Sequence, residues 1–170
     1  RYAEEAFVRY QADALTANPY LGGDTLTAYT DYTDKGVVVL CKTSNPQSGQ
    51  LQDLILQSGQ PLFLQVAQLA AEQWNNNQNI MLVVGATYPE QLQAVREHVG
   101  DMPLLIPGIG AQGGDLAATL KAGLRTDGLG LIISASRSII YAGNGNDFAH
   151  QAGLAAEQLK SDINQIRDQI

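Results

Sequence analysis

The sequence predicts an α/β fold, the C-terminal five or so βα units of a (β/α)8 barrel, in a single domain spanning residues 1–170. Three observations lead there. Five short apolar runs alternate with helix-length segments. The runs are continuous in Val, Ile and Leu, as in parallel strands buried on both faces. Each run ends in a polar or glycine-rich cluster: "TANPYLGG", "CKTSNPQSG", "GATYP", "PGIGAQGG" and "SASRS". Barrel sites are built at that end of the strands. An open doubly wound sheet competes with this reading, and the clustering favours the barrel. A whole barrel takes about 250 residues, more than the 170 here.

The elements follow in chain order. "RYAEEAFVRY" places Tyr2, Ala6 and Phe7 as an apolar helical face, with no initiator Met and no capping residue ahead of it. It reads as a helix entered partway along, so residues are expected before Arg1. Strands are expected in "ADALTANPYL" from Ala12, "GVVVLCKTSNP" from Gly36, "IMLVVGATYP" from Ile80, "MPLLIPGIGA" from Met102 and "LGLIISASRS" from Leu129. Helices are expected over Asp24–Thr33, Pro61–Asn76, Pro89–Val99, Gly114–Leu124 and Asp147–Ile170. Asp24 suits a cap, Pro61 and Pro89 suit a first turn, and "WNNNQN" supplies turn residues.

Composition narrows the function classes. A formal net charge of −7 disfavours nucleic acid as partner, since a phosphate backbone selects a cationic surface. A small phosphorylated ligand needs only local positive charge. No apolar run approaches the ~18 residues of a membrane span. Cys41 is the single cysteine, so no disulfide forms within the chain, and a cytoplasmic location is expected.

The strand ends suggest an anion site. Gly108, Gly110, Gly113 and Gly114 allow backbone N–H groups to turn toward a phosphate, and Gln112 adds a side-chain donor. Arg137, at the end of the next strand, offers a planar fork of donors suited to phosphate oxygens. Glycine-rich strand–helix turns also serve packing alone; the Arg in the next loop favours phosphate. Thr43, Ser44 and Asn45 suit the edge of a heterocycle, and equally an ordinary Ser-Asn-Pro turn. Lys42 alternates away from Thr43 and reads as a rim or surface lysine.

Acids and bases are scarce. Asp13, Asp31, Asp34 and Lys35 precede strands and belong to the opposite, stabilising end of a barrel. Asp115 suits a helix's first turn. His98 and His150 read as solvated helix residues, and Tyr20, Tyr88 and Tyr141 as packing. No His, Cys and carboxylate spacing suits a metal, and no Ser-His-Asp set is apparent.

The segments "NPYLGGD", "VLCKTSNPQSG", "LVVGATYPEQL", "LLIPGIGAQGGDL" and "SASRSIIYA" resemble, in order, the orotidine 5′-phosphate decarboxylase family in its longer bacterial form. The resemblance covers nearly the whole chain. It implies a (β/α)8 barrel and a homodimer with sites near the interface. It implies conversion of orotidine 5′-phosphate (OMP) to uridine 5′-phosphate (UMP) and CO2 in pyrimidine synthesis, without metal or organic cofactor. It also raises a fusion to, or association with, orotate phosphoribosyltransferase. By the same resemblance Gln112 and Arg137 hold the 5′-phosphate, and Gly110 and Ser136 approach it through their backbone. Ser44 contacts the pyrimidine ring and Pro107 lines its pocket, while Asn18 sits at the rim with no contact assigned.

The family's catalytic Asp-x-Lys-x-x-Asp motif does not occur in these residues. In the family "RYA" follows soon after that motif, so the catalytic segment is expected upstream of Arg1, and no catalytic residue is assigned here. Two alternatives stand beside decarboxylation. One is a nucleotide-binding or complementing piece without turnover of its own. The other is a different phosphate-binding barrel enzyme such as a sugar-phosphate epimerase, disfavoured by the lack of metal-ligating His and carboxylates at strand ends.

Overall fold

The computed structural model describes residues 1–109 and 114–170. Each predicted apolar run contains a strand: β1 (Ala14–Ala17), β2 (Gly36–Lys42), β3 (Ile80–Val84), β4 (Leu104–Pro107) and β5 (Leu131–Ser134). They form one sheet in the order β1-β2-β3-β4-β5, every neighbouring pair parallel. This monotonic order is the one a barrel requires, whereas a doubly wound sheet reverses direction partway.

Helices fill the connections. A short turn, α1 (Tyr2–Glu4), runs into a π-helical turn, Glu5–Arg9, ahead of β1. Then come α2 (Gly23–Thr30), α3 (Gly49–Gln52), α4 (Leu62–Leu69), α5 (Pro89–Val99), α6 (Leu116–Gly123), α7 (Arg137–Ile140) and α8 (Phe148–Arg167). The α5 boundaries follow from its residues: Pro89 opens the first turn, and Leu92, Val95 and Val99 bury one face. Gly100, at φ +56°, ends it in a conformation few other residues adopt cheaply. The α4 helix continues through a π turn, Ala70–Trp74, and stops at Asn75, whose side chain accepts from the Ile80 N–H.

Strand register explains the core. Val39 pairs with Leu82, Leu82 with Leu104 and Leu104 with Leu131, which places one apolar row against the helices. Phe63 and Ala67 of α4 and Leu92 and Val95 of α5 close over that row. The other sheet face carries Leu40, Val83, Leu105 and Ile132 in register. It is closed at its middle, where Val38 and Val83 are buried, and open at its ends, where Thr16 and Ile132 are exposed.

At the N-terminal ends of the strands Arg96 binds four backbone carbonyls. Its guanidinium donates to Gly123 at 2.8 Å, Gly100 at 2.5 Å, Met102 at 2.8 Å and Gly130 at 3.1 Å. These carbonyls lie at the ends of α5 and α6 and in the lead-ins to β4 and β5, so one side chain ties four segments. Burial, with the neighbouring Arg125 charge, pulls Arg96 below its ordinary pKa, yet a guanidinium stays protonated.

Three expectations are corrected. Tyr2 is not on the buried helical face; Ala3 and Phe7 are, and the Phe7 ring meets that of Tyr32 at a tilt of 52°, their centres 5.1 Å apart. Asp24 lies in the first turn of α2, whose N-cap is Gly22. Tyr20, Tyr88 and Tyr141 do not pack but are exposed.

Because its five donors answer four carbonyls, Arg96 resists replacement even by lysine. Arg96→Lys is expected to lower stability by about 2 kcal/mol in urea denaturation, since most of the carbonyls would lose a charge-assisted partner. An unchanged midpoint and slope would remove the clamp's energetic role.

Candidate functional site at the C-terminal strand ends

The parallel order brings the strand C-termini to one rim. There Thr43, Ser44, Asn45, Pro46, Pro107 and Arg137 line a cavity of about 490 Å³, within the usual size range of small-molecule sites. Three residues expected to form a site from separate parts of the sequence, Ser44, Pro107 and Arg137, thus converge. Ser44 and Arg137 follow β2 and β5, three strand intervals apart, roughly 14 Å along the sheet at the usual spacing.

The cavity has two unlike ends. Arg137 opens α7 and supplies the cation. Among the described residues no carboxylate pairs with it, so its charge is available to an anion. The opposite end is neutral, formed by Thr43, Ser44 and Asn45. Ser44 sits close over β3's end: a Cβ on Gly85 would come within 2.8 Å of the Ser44 Cβ. Gly85 is therefore required by packing beneath the site. Gly114 is too, since its Cβ would meet the Gly108 carbonyl at 2.9 Å and Ala86 at 2.7 Å.

Ser136 directly precedes Arg137 and is exposed, its carbonyl accepting from the N–H groups of Ile139 and Ile140. Gly110 and Gln112, expected to bind phosphate, lie outside the described residues. Asp115 caps α6 by accepting from the Ala118 N–H at 3.1 Å, which gives it a structural task. Asn18 caps the turn Pro19–Leu21 and lines a separate, mainly apolar cavity of about 360 Å³ with Phe63, Val66 and Trp74. His98 and His150 are exposed helix residues. Among the described residues no group of three His, Cys, Asp or Glu side chains gathers as a metal site. No described helix is long and apolar enough to cross a membrane.

Lys42 departs from its expected surface position. A bulge between Leu40 and Lys42 interrupts strand alternation and turns Lys42 toward the helices, where it is only 2% exposed. Its Nζ lies 2.7 Å from Asp53 Oδ1, 3.4 Å from Ser48 Oγ and 5.8 Å from the Phe63 ring centre. It does point away from the cavity, so it contributes no ammonium there. Cys41, beside it, is buried and donates to the Phe63 carbonyl.

Two residues escaped the sequence reading. Gln52 ends α3 and binds Thr43 through both carboxamide atoms: Oε1 meets the backbone N–H at 2.9 Å and Nε2 meets Oγ1 at 2.8 Å. Asp53 follows and anchors on Lys42. The available signal was composition alone, a Gln-Asp pair returning after "TSNPQSG", and nothing local says that such a pair folds back.

Burial lifts the Cys41 thiol from its ordinary 9.0 to about 12, a rise the Lys42 charge only partly offsets. The folded state then holds a proton that the unfolded chain releases, so stability is unaffected below pH 9 and declines between 9 and 12. At pH 8 a maleimide is expected to label Cys41 only after denaturation; fast labelling of the native protein would contradict its burial.

The sequence matches the family described as orotidine 5′-phosphate decarboxylase / HUMPS over residues 1–152. The orotidine 5′-phosphate decarboxylases of Cellvibrio japonicus and Aromatoleum aromaticum are each 54% identical over 167 residues, 98% of this chain and 61% and 62% of theirs. The chain thus spans about three fifths of the length of the curated relatives it matches. Among solved structures, Leishmania donovani UMP synthase superposes with a TM-score of 0.89 at 46% identity, covering 98% of this chain and 36% of that one. Leishmania donovani OMP decarboxylase superposes with a TM-score of 0.86 at 43% identity, covering 98% and 61%.

Proposed function

The chain belongs to the orotidine 5′-phosphate decarboxylase / HUMPS family, and from that premise we propose that its residues supply substrate recognition for decarboxylation of OMP to UMP and CO2. Arg137 holds the 5′-phosphate with Gln112, the backbone of Gly110 and Ser136 approaches it, and Ser44 and Pro107 receive the pyrimidine. The observation that carries this reading is the single cavity in which Arg137 faces Ser44 and Pro107. Its cationic and neutral ends match a ligand with an anionic end and a heterocyclic end.

Recognition at this distance contributes to rate. Contacts to a phosphate remote from the reacting carbon supply binding energy that positions and desolvates the reacting group in the transition state. The bond-breaking electrostatics belong to the Asp-x-Lys-x-x-Asp motif, which these residues do not contain, and no proton transfer is assigned to them. The proposal extends to a cytoplasmic homodimer. The likeness to a UMP synthase also supports association with orotate phosphoribosyltransferase.

The absence of the motif favours a second reading for residues 1–170 by themselves: nucleotide binding without turnover. Purified 1–170 is expected to bind UMP and to leave OMP unconverted, with activity restored by a chain that carries the motif. Near-native turnover by 1–170 alone would overturn that division.

Calorimetry with UMP tests the site. Arg137→Ala is expected to weaken binding roughly tenfold to a hundredfold, the range of a charge-assisted phosphate contact. Unchanged affinity refutes the assignment of Arg137. No binding by the unsubstituted protein refutes the recognition role altogether.

A further inference from the structure

The loop after β2 contains a directed hydrogen-bond relay. A backbone N–H only donates, so the Gln52 atom that meets the Thr43 N–H at 2.9 Å must be Oε1. That fixes the other end of the carboxamide, and Nε2 donates to Thr43 Oγ1 at 2.8 Å. The hydroxyl has one proton to pass on. Asn45 Oδ1 lies 2.7 Å away and is the nearer acceptor; Gln52 Oε1 has a second lone pair but makes the longer contact, at 3.3 Å. The proton therefore goes to Asn45, whose Oδ1 is the acceptor and whose Nδ2 forms the outer end of the side chain. Asn45 lines the cavity.

The relay is anchored at its origin. Asp53, next to Gln52, is held at 2.7 Å by the buried Lys42 ammonium, which also approaches Ser48 at the start of α3. A return segment pinned to the strand it left keeps the Gln52 carboxamide from swinging away from Thr43.

Resting on the nucleotide reading of this cavity, we propose that Gln52 is a positioning residue which, through Thr43, presents Asn45 Nδ2 as a hydrogen-bond donor to a carbonyl oxygen of the ligand's heterocycle. The choice of a neutral carbonyl over a phosphoryl oxygen follows from the cavity's polarity. Asn45 belongs to the uncharged end, three strand intervals from Arg137. The consequence is specificity: a base edge offering a donor at that point meets Nδ2 with like polarity.

UMP affinities measured calorimetrically on the protein and its variants test this. Asn45→Ala and Gln52→Glu should each weaken UMP binding about fivefold, the worth of one neutral hydrogen bond. Glu keeps an oxygen for the Thr43 N–H but replaces the donor Nε2, so the hydroxyl proton is drawn back to residue 52. Gln52→Glu in an Asn45→Ala background should cost nothing further, because Gln52 acts through Asn45. Asn45→Ala and Arg137→Ala should instead be additive, as independent distant contacts are. If Gln52→Glu lowers the melting temperature, Thr43→Val withdraws the same proton from the relay and carries the same expectation.

Unchanged UMP affinity in Asn45→Ala overturns the proposal, as do losses for residues 45 and 52 that simply add. Coupling between Asn45 and Arg137 overturns the assignment to the heterocycle. If the unsubstituted protein does not bind UMP, the nucleotide reading itself fails. If it binds and Arg137→Ala weakens it while Asn45→Ala does not, only the relay fails.

Discussion

Every strand of this sheet lies beside and parallel to its predecessor, and the site follows from that constraint. A parallel neighbour is reached only by a crossover that returns the chain to the opposite end of the sheet. The strand C-termini are thereby gathered on one side, and the loops leaving them become neighbours although they are far apart in sequence. Ser44, Pro107 and Arg137 belong to three such loops or strand ends, and one cavity collects them. The same constraint sends Arg96, Asp101 and Arg125 to the other end, where they fasten the turns between helices and strands. The candidate binding residues gather at one end only, whereas fastening occurs at both, through Arg96 at one end and the Lys42–Asp53 pair at the other.

Depth decides how each cation is handled. Arg96 is half withdrawn from water and donates to four carbonyl oxygens, so it acts as a fixed fastener. Lys42 is more deeply buried, and its charge is answered by Asp53, a hydroxyl and an aromatic face. Arg137 is exposed at the mouth of the cavity and unpaired with any described carboxylate. A buried cation without a partner is costly, which explains why the two inner cations are tied down. The one left open to a ligand is the one that water can reach.

The fold was legible because it rests on periodicity. The five apolar runs and α5 stand where the sequence places them, and Arg137 stands out by its place after the last strand, whereas Pro107 and the role of Ser44 come from the family resemblance. What escaped was decided by local geometry that periodicity does not encode. Lys42 points away from Thr43's side as expected, but a bulge near the end of β2 sets it in a buried position against Asp53, Ser48 and Phe63 and not at the surface. Helical phase near Tyr2 shifted by one residue, so that Ala3 went inside. Gln52 and Asp53 do not stand out in the sequence, because their partners are chosen by how a ten-residue loop folds back. Gly110 and Gln112, half of the expected phosphate set, lie outside the described residues.

That loop bears on how a small polar site achieves discrimination. A lone exposed Asn rotates its carboxamide freely and offers donor or acceptor with equal ease, so it selects little. Orientation has to come from a group whose polarity cannot invert, and the backbone N–H of Thr43 is such a group. From it the donors and acceptors run through Gln52 and the hydroxyl and, by the shorter of the hydroxyl's two contacts, out to Asn45. The strand end thus lends its fixed polarity to a side chain at the cavity's edge. Arg137 needs no such arrangement, because a guanidinium has donors only. The cationic end of the cavity is specific by its charge, whereas the neutral end becomes specific only through the fold around it.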